Sequence, residues 1–205
     1  LLIFAWLSRE EVQWKNVLSW FTPAAILCMV IIFVSGISVM GSVVPEYVDS
    51  WVLPYGQALL IKHLLLLPLI VLAFLNGFMH FYRLKKKADL KPWFKAESIL
   101  AVSVLAVTAY MGRQVPPHDV SSVLLNEPPS PLFLMLYQGE FSPGQSLRLS
   151  LTLEGVSLAL MALVMFAMTA YCYVRFRQIP VIFVTFSVLL GLVLAYAAAM
   201  LMIQT

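Results

Sequence analysis

The strongest constraint on this chain is a series of apolar stretches, each about 20 residues or longer, separated by short segments that carry most of the charges. A stretch of that length crosses a bilayer as an α-helix, because only a helix or a closed barrel satisfies its own backbone hydrogen bonds in hydrocarbon. Only 11% of the residues are charged, against roughly 25% in soluble domains, and 61% are hydrophobic. The sequence therefore excludes a water-soluble fold and predicts an all-α polytopic transmembrane helix bundle.

The apolar stretches define five complete spans and one partial span. The complete spans are predicted at about 20–43, 56–82, 95–114, 149–174 and 179–203. The opening LLIFAWL, residues 1–7, is too short to cross a bilayer, so we expect it to be the N-terminal stub of a further helix in a fragment of a larger protein. We predict that residues 1–205 form a single integral membrane domain.

The distribution of Lys and Arg predicts the orientation of the spans. These residues concentrate in the loops 8–19, 83–95 and 175–178, which the positive-inside rule assigns to the cytoplasm. The loops 44–55 and 115–148 are then external, and the chain is predicted to be a multi-pass protein of the cytoplasmic membrane. The formal net charge of +3 is too small to indicate a nucleic-acid partner.

One face of the span at 149–174 collects a carboxylate and four sulfur atoms. On a helical wheel, Met161, Met165, Met168 and Cys172 all lie within about 40° of Glu154. Thioether and thiolate sulfur select Cu(I), so this face is a candidate copper path; the alternative is a packing face, because Met fills irregular gaps well. A carboxylate within a membrane usually faces the bundle interior, and we therefore expect the whole face to point inwards.

His63 is the candidate ligand nearest the external end of the span at 56–82. Histidines inside a membrane serve as ligands, proton relays or hydrogen-bonding groups between helices, and the residue type alone does not choose among these. Its neighbour Lys62 points about 100° away around the helix and lies close enough to the surface to extend its amine to water. An interaction of His63 with Glu154 at similar depth is a further possibility.

Other candidate ligands lie on the external side and in the span at 20–43. Met40, Met111 and His118 combine thioether and imidazole groups, as an external copper-binding mouth requires; the alternative for His118 is a solvated loop histidine. Cys28 lies at about the depth of Cys172, so the two thiols are a candidate exit pair, although buried cysteines often act as small hydrophobic residues. We find no glycine-rich phosphate loop and no GxSxG, HExxH or CxxC motif, and predict that the chain is not an enzyme.

The middle of the chain resembles the copper resistance D family, which includes CopD, PcoD and YcnJ-like membrane proteins. The resemblance rests on PYGQALLIKHLLLLPLIVLAFLN at 54–76, KAESILAVSVLAVTAYM at 95–111 and the Pro pair at 116–117. Within this core, at about 54–117, the matching positions are Tyr55, Gly56, Lys62, Asn76 and Glu97. The resemblance implies an inner-membrane protein of about eight helices that moves or handles copper, often with a secreted or fused CopC-like copper-binding domain as partner.

Three functions follow as hypotheses. The first is uptake or transfer of copper, as Cu(I), across or at the cytoplasmic membrane by Met, Cys, His and Glu ligands, with the copper ion and the lipid bilayer as partners. The second is an accessory or assembly subunit of a membrane complex. The third is a haem-binding electron-transfer protein; His63 and His80 share one helix about 25 Å apart, so they cannot ligate one haem together, and haem is the less favoured cofactor.

Overall fold

The computed structural model describes residues 14–85, 91–139, 141–142, 145–175 and 181–204. Their helices are α1 (Trp14–Val43), α2 (Pro54–Lys85), α3 (Lys91–Met111), α4 (Val120–Leu124), α5 (Pro131–Leu136), α6 (Leu153–Arg175) and α7 (Val181–Leu201), with a 3-10 turn at Asp49–Val52 and two short strands, β1 (Arg148–Leu149) and β2 (Ile203–Gln204). The predicted all-α fold is confirmed. The predicted stub at 1–7 lies outside the described residues.

Four of the described helices are long and apolar enough to cross a membrane, so the protein is a multi-pass membrane protein. The apolar segments are Pro23–Val43, Pro54–Phe74, Leu153–Cys172 and Phe183–Leu201. The fifth predicted span corresponds to α3, whose 21 residues would extend about 31 Å. Its first turns carry Lys91, Lys95 and Glu97, and α3 does not contain one of the four apolar segments.

The long helices α2, α3, α6 and α7 pack as two hairpins, α2–α3 and α6–α7, which meet through α7. The most extensive contact joins α6 to α7, the next joins α2 to α3, and α7 also contacts both α2 and α3. The core between them is aliphatic and comes from three helices: Leu65, Leu72, Leu100, Val184, Val188 and Leu192. Removing these side chains from contact with lipid gains little hydrophobic free energy, so close packing holds the helices together.

Helix α1 differs from the other long helices, because its side chains from Pro23 to Val39 are almost all exposed. It meets the rest of the protein near its C-terminal end, where Val43 and Val44 pack with Ala58 and Leu59 of α2. Apolar side chains open to the surroundings are ordinary on a membrane helix, since lipid tails are as apolar as leucine.

Residues 44–53 and the described residues of 112–152 form a cap over one end of the bundle. The Ser130 amide donates to the Val52 carbonyl at 2.7 Å, and the Asp49 carboxylate accepts from the Leu147 amide. Strand β1 pairs antiparallel with β2, which follows α7 directly. The predicted external loop 115–148 therefore contains two short helices held against the bundle.

Candidate functional site

The start of α2 places the 3-10 turn directly against the bundle. Pro54 opens the helix, where its missing N–H costs nothing. At Gly56, a Cβ would collide with the backbone carbonyl of Ser50 and lie 2.6 Å from its hydroxyl oxygen. Glycine is therefore required for this close approach, which brings Tyr47 and Trp51 over the first turns of α2.

Gln57, the residue after Gly56, is a buried polar link between the turn, α2 and α7. Its side-chain amide donates to the Trp51 carbonyl and lies 3.6 Å from the Met200 sulfur, and its oxygen accepts from the Tyr196 hydroxyl. A buried amide with its donors and acceptor engaged stabilises one arrangement of the three elements. Gln57 was not among the predicted site residues, although a glutamine within an apolar span was a signal for such a link.

His63 lies two turns further along α2 and is hydrogen-bonded to a residue from the cap. Its Nδ1 is 3.1 Å from the Tyr47 hydroxyl oxygen, and the two rings meet edge to face with centroids 5.6 Å apart. The side chain is half-buried. Nδ1 is thus engaged by Tyr47, and the imidazole also forms a hydrogen bond with the backbone of Leu59, one helical turn earlier. Tyr47 was not among the predicted site residues, because its sequence position gives no sign of this contact.

Tyr47 is held by aromatic and backbone contacts on its other side. Its ring meets Trp51 edge to face at 5.4 Å, and its carbonyl accepts a 2.6 Å hydrogen bond from the Ser50 hydroxyl. Burial raises the pKa of the Tyr47 phenol, so the phenol keeps its proton at neutral pH. Trp51 Nε1 is buried and has no hydrogen-bond partner within the described residues.

Of the predicted external ligands, Met111 packs in the same cluster as Tyr47, the hydrogen-bond partner of His63. Met111 is buried with Val44, Ala58 and Leu59, and Tyr47 packs against the same cluster. Leu59 precedes His63 by one helical turn, so the cluster that contains Met111 reaches α2 one turn before the position of His63. Met40 is half-buried near the end of α1.

His118 is exposed on the cap, with its backbone amide bonded to the Pro116 carbonyl at 3.0 Å. The external mouth of Met40, Met111 and His118 therefore stays a prediction.

Three of the five residues on the predicted sulfur face of α6 do not point into the bundle. Met161 and Met168 are 54% and 55% exposed, Glu154 is exposed, and Met165 and Cys172 are half-buried. The expectation that this face points inwards is therefore wrong for Met161, Met168 and Glu154. Whether the face binds metal stays a prediction.

The physical reason is a different face of α6 formed by smaller residues. Gly155, Ala162 and Thr169 recur at seven-residue spacing and are buried, because small residues let two membrane helices approach closely. At Gly155, an added Cβ would lie 2.6 Å from a side-chain carbon of Met202. The bulky methionines are consequently turned away from α7.

Two further predictions concern Cys28 with Cys172 and His63 with Glu154. Cys28 is exposed on α1 and Cys172 is half-buried on α6, both as free thiols. The described residues show no hydrogen bond between His63 and Glu154. They also include no group of three or more His, Cys, Asp or Glu placed to hold a metal ion.

The cap also contains a pocket of about 180 Å³ beside the 3-10 turn. Two carboxylates and several neutral oxygens line it: Glu46, Asp49, Ser121, Gln145 and Ser146. Such oxygen donors suit hard cations more than Cu(I). The pocket therefore differs in its preferred cation from the imidazole and thioether groups around Tyr47.

The comparisons with known proteins bear on the region of α1 to α3. Residues 15–111 match the family model described as Copper resistance protein D. No curated protein and no solved structure matches the chain. The matched range contains Met40, Tyr47, His63 and Met111, ends at the last residue of α3, and leaves out the sulfur face of α6. It also reaches further towards the N terminus than the predicted 54–117 core.

Proposed function

Because residues 15–111 match the family model described as Copper resistance protein D, we propose that the chain takes up copper or transfers it across the cytoplasmic membrane. The family match is the observation that carries this proposal. The multi-pass architecture supports it, since an ion crosses hydrocarbon only where protein groups replace its water. In this proposal copper is the cargo and the chain has no catalytic role.

The copper-binding region of the proposal is the junction of α1, α2 and α3 beneath the cap. Imidazole and thioether are donors that bind copper, and His63, Met111 and Met40 supply them within the matched range. This junction is at the end of the bundle that the charge distribution assigns to the outside. Copper would therefore reach His63 from the external side, as Cu(I) if thioethers share in its binding.

The predicted sulfur face of α6 extends the proposed route towards the other side of the membrane. Met161 and Met168 are open in the single chain, and an ion beside lipid tails is costly. The route along Met161, Met165, Met168 and Cys172 therefore requires another helix to cover this face in the membrane.

His63→Ala should lower copper accumulation about tenfold or more, because losing one ligand worth about 1.4 kcal/mol costs a factor of ten in binding. Accumulation is measured by mass spectrometry in cells that express equal amounts of each variant. The matched control is Leu67→Ala, one turn further along α2 at an exposed position, which should accumulate copper as the unaltered chain does. Equal accumulation by H63A and L67A would contradict a role for His63.

Replacing Met161, Met165 and Met168 together by leucine should lower accumulation several-fold if copper follows the sulfur face. Leucine keeps the volume of methionine at a cost usually below about 1.5 kcal/mol per site, so the fold is retained and only the sulfur is lost. Unchanged accumulation would refute the route along α6 and confine copper binding to the His63 region.

The visible spectrum of the protein purified after growth with copper separates the alternatives. Near-stoichiometric copper without a Soret band supports the proposal. A Soret band would indicate bound haem and favour the electron-transfer hypothesis over copper transfer. Stable association with a membrane complex without bound metal would favour an accessory subunit.

A further inference from the structure

We propose that Nε2 of His63 is the atom that binds copper and that Tyr47 is the positioning residue that keeps this atom free and aimed. The inference rests on the proposed function and names the ligand atom within it. Tyr47 would not touch the metal; it would act through the imidazole.

The first step concerns the different roles of the two ring nitrogens of His63, one as donor and one as ligand atom. A neutral imidazole has one N–H donor and one lone pair. Nδ1 lies 3.1 Å from the Tyr47 hydroxyl oxygen, and when Nδ1–H donates to that oxygen the lone pair belongs to Nε2. Metal-binding histidines commonly donate their other N–H to an oxygen, which fixes both the tautomer and the ring orientation. Tyr47 supplies such an oxygen from outside the helix that carries His63, in addition to the backbone hydrogen bond that the imidazole makes with Leu59.

The second step is that the fold holds Tyr47 in place before any ligand arrives. Its ring is set edge to face against Trp51 and His63, at 5.4 and 5.6 Å. Its backbone carbonyl accepts a hydrogen bond from the Ser50 hydroxyl. The backbone of Ser50 lies so close to α2 that only glycine fits at position 56. The hydroxyl is therefore presented to His63 by a rigid turn, as a preorganised site requires.

The third step is a soft donor in the cluster that reaches α2 one helical turn before His63. Met111 belongs to the buried cluster of Val44, Ala58 and Leu59, against which Tyr47 also packs. Imidazole with thioether suits copper, and it gives little affinity for Mg²⁺ or Ca²⁺, which prefer oxygen. The α2 and α3 residues around Tyr47 therefore favour a copper ion as the ligand of the free Nε2.

The test begins with the tautomer of His63 in the metal-free full chain in detergent. The chain has three histidines, so ¹⁵N-histidine labelling with His63→Gln as the assignment variant identifies the ring signals. We expect a protonated Nδ1 and an unprotonated Nε2 in the unaltered chain, and a shift of the Nε2 signal when Cu(I) is added. In Tyr47→Phe, which removes only the hydroxyl, the two tautomers should mix.

Copper affinity is measured on the same samples by competition with a Cu(I) chelator. Tyr47→Phe should weaken binding about 10- to 100-fold, the usual cost of losing a partner of a metal-bound histidine. The matched control is Tyr137→Phe, a half-buried cap tyrosine stacked on Phe133, which should bind as the unaltered chain does. If Tyr47→Phe does not fold, the tautomer and the Cu(I)-induced shift in the unaltered chain decide the question.

The outcomes separate this inference from the proposed function. A protonated Nε2 in the unaltered chain, or unweakened copper binding by Tyr47→Phe, would overturn the positioning role while copper transfer stands. Failure of the unaltered chain to bind Cu(I) would overturn the proposed function and this inference with it.

Discussion

Gly56→Ala should destabilise the protein by about 3 kcal/mol, the upper end of the usual cost of overpacking. The added methyl group would collide with the backbone carbonyl of Ser50, and a backbone atom moves only if the whole 3-10 turn moves. Displacing the turn would also disturb the Gln57 link and the Tyr47 contact with His63. The loss is measured as a lower midpoint of thermal unfolding in detergent, followed by size-exclusion chromatography of a fluorescent fusion.

The matched control for this variant is Gly36→Ala in α1, where an added Cβ meets nothing within 4 Å. Alanine is favoured over glycine in a helix by about 0.5–1 kcal/mol, so this variant should be unchanged or slightly more stable. Equal unfolding midpoints for the two variants would show that the turn does not lie against α2.

Phe133→Ala should cost about 3–5 kcal/mol, the range for truncating a buried aromatic side chain. Phe133 is 0% exposed, stacks on Tyr137 at 4.8 Å and meets Phe141 edge to face at 5.5 Å. It belongs to the cluster that includes Trp51, Leu147, Met200 and Ile203 and joins the cap to the bundle. Its loss should therefore loosen the cap, measured as a lower unfolding midpoint and faster protease cleavage within 115–148.

The neighbouring residue provides the control. Leu134→Ala alters a side chain that is 57% exposed on the same short helix, and it should leave both the unfolding midpoint and the cleavage rate almost unchanged. Similar cleavage of the two variants would mean that the cap is not held by the Phe133 cluster.

The membrane architecture was predictable from the sequence because apolar length alone decides whether a helix can cross a bilayer. The apolar segments Pro23–Val43, Pro54–Phe74, Leu153–Cys172 and Phe183–Leu201 fall within or overlap the predicted spans. The cap was harder to predict, although Asp119 and Pro131 carry helix-start signals. Asp119 accepts a 3.0 Å hydrogen bond from the Ser121 amide at the start of α4, and Pro131 opens α5.

The candidate site was predictable only in part. His63 and Met111 were found as residue types that bind copper, whereas Tyr47 was missed because its role depends on a contact across a turn, 16 residues from His63. The inward direction of the α6 sulfur face failed for a related reason. A helical wheel shows which residues share a face, but packing against the neighbouring helix decides which face is buried. The seven-residue spacing of Gly155, Ala162 and Thr169 was the stronger signal for that contact.

The buried amide of Gln57 has a consequence for the order in which the protein assembles. Its partners Tyr196 and Met200 come 139 and 143 residues later in the chain, and the Leu147 amide that bonds Asp49 comes 98 residues later. During synthesis α2 is therefore complete long before the side chains that satisfy Gln57 exist. Contacts of such long sequence separation form slowly and late, so the junction around the 3-10 turn closes only after α7 has entered the bundle.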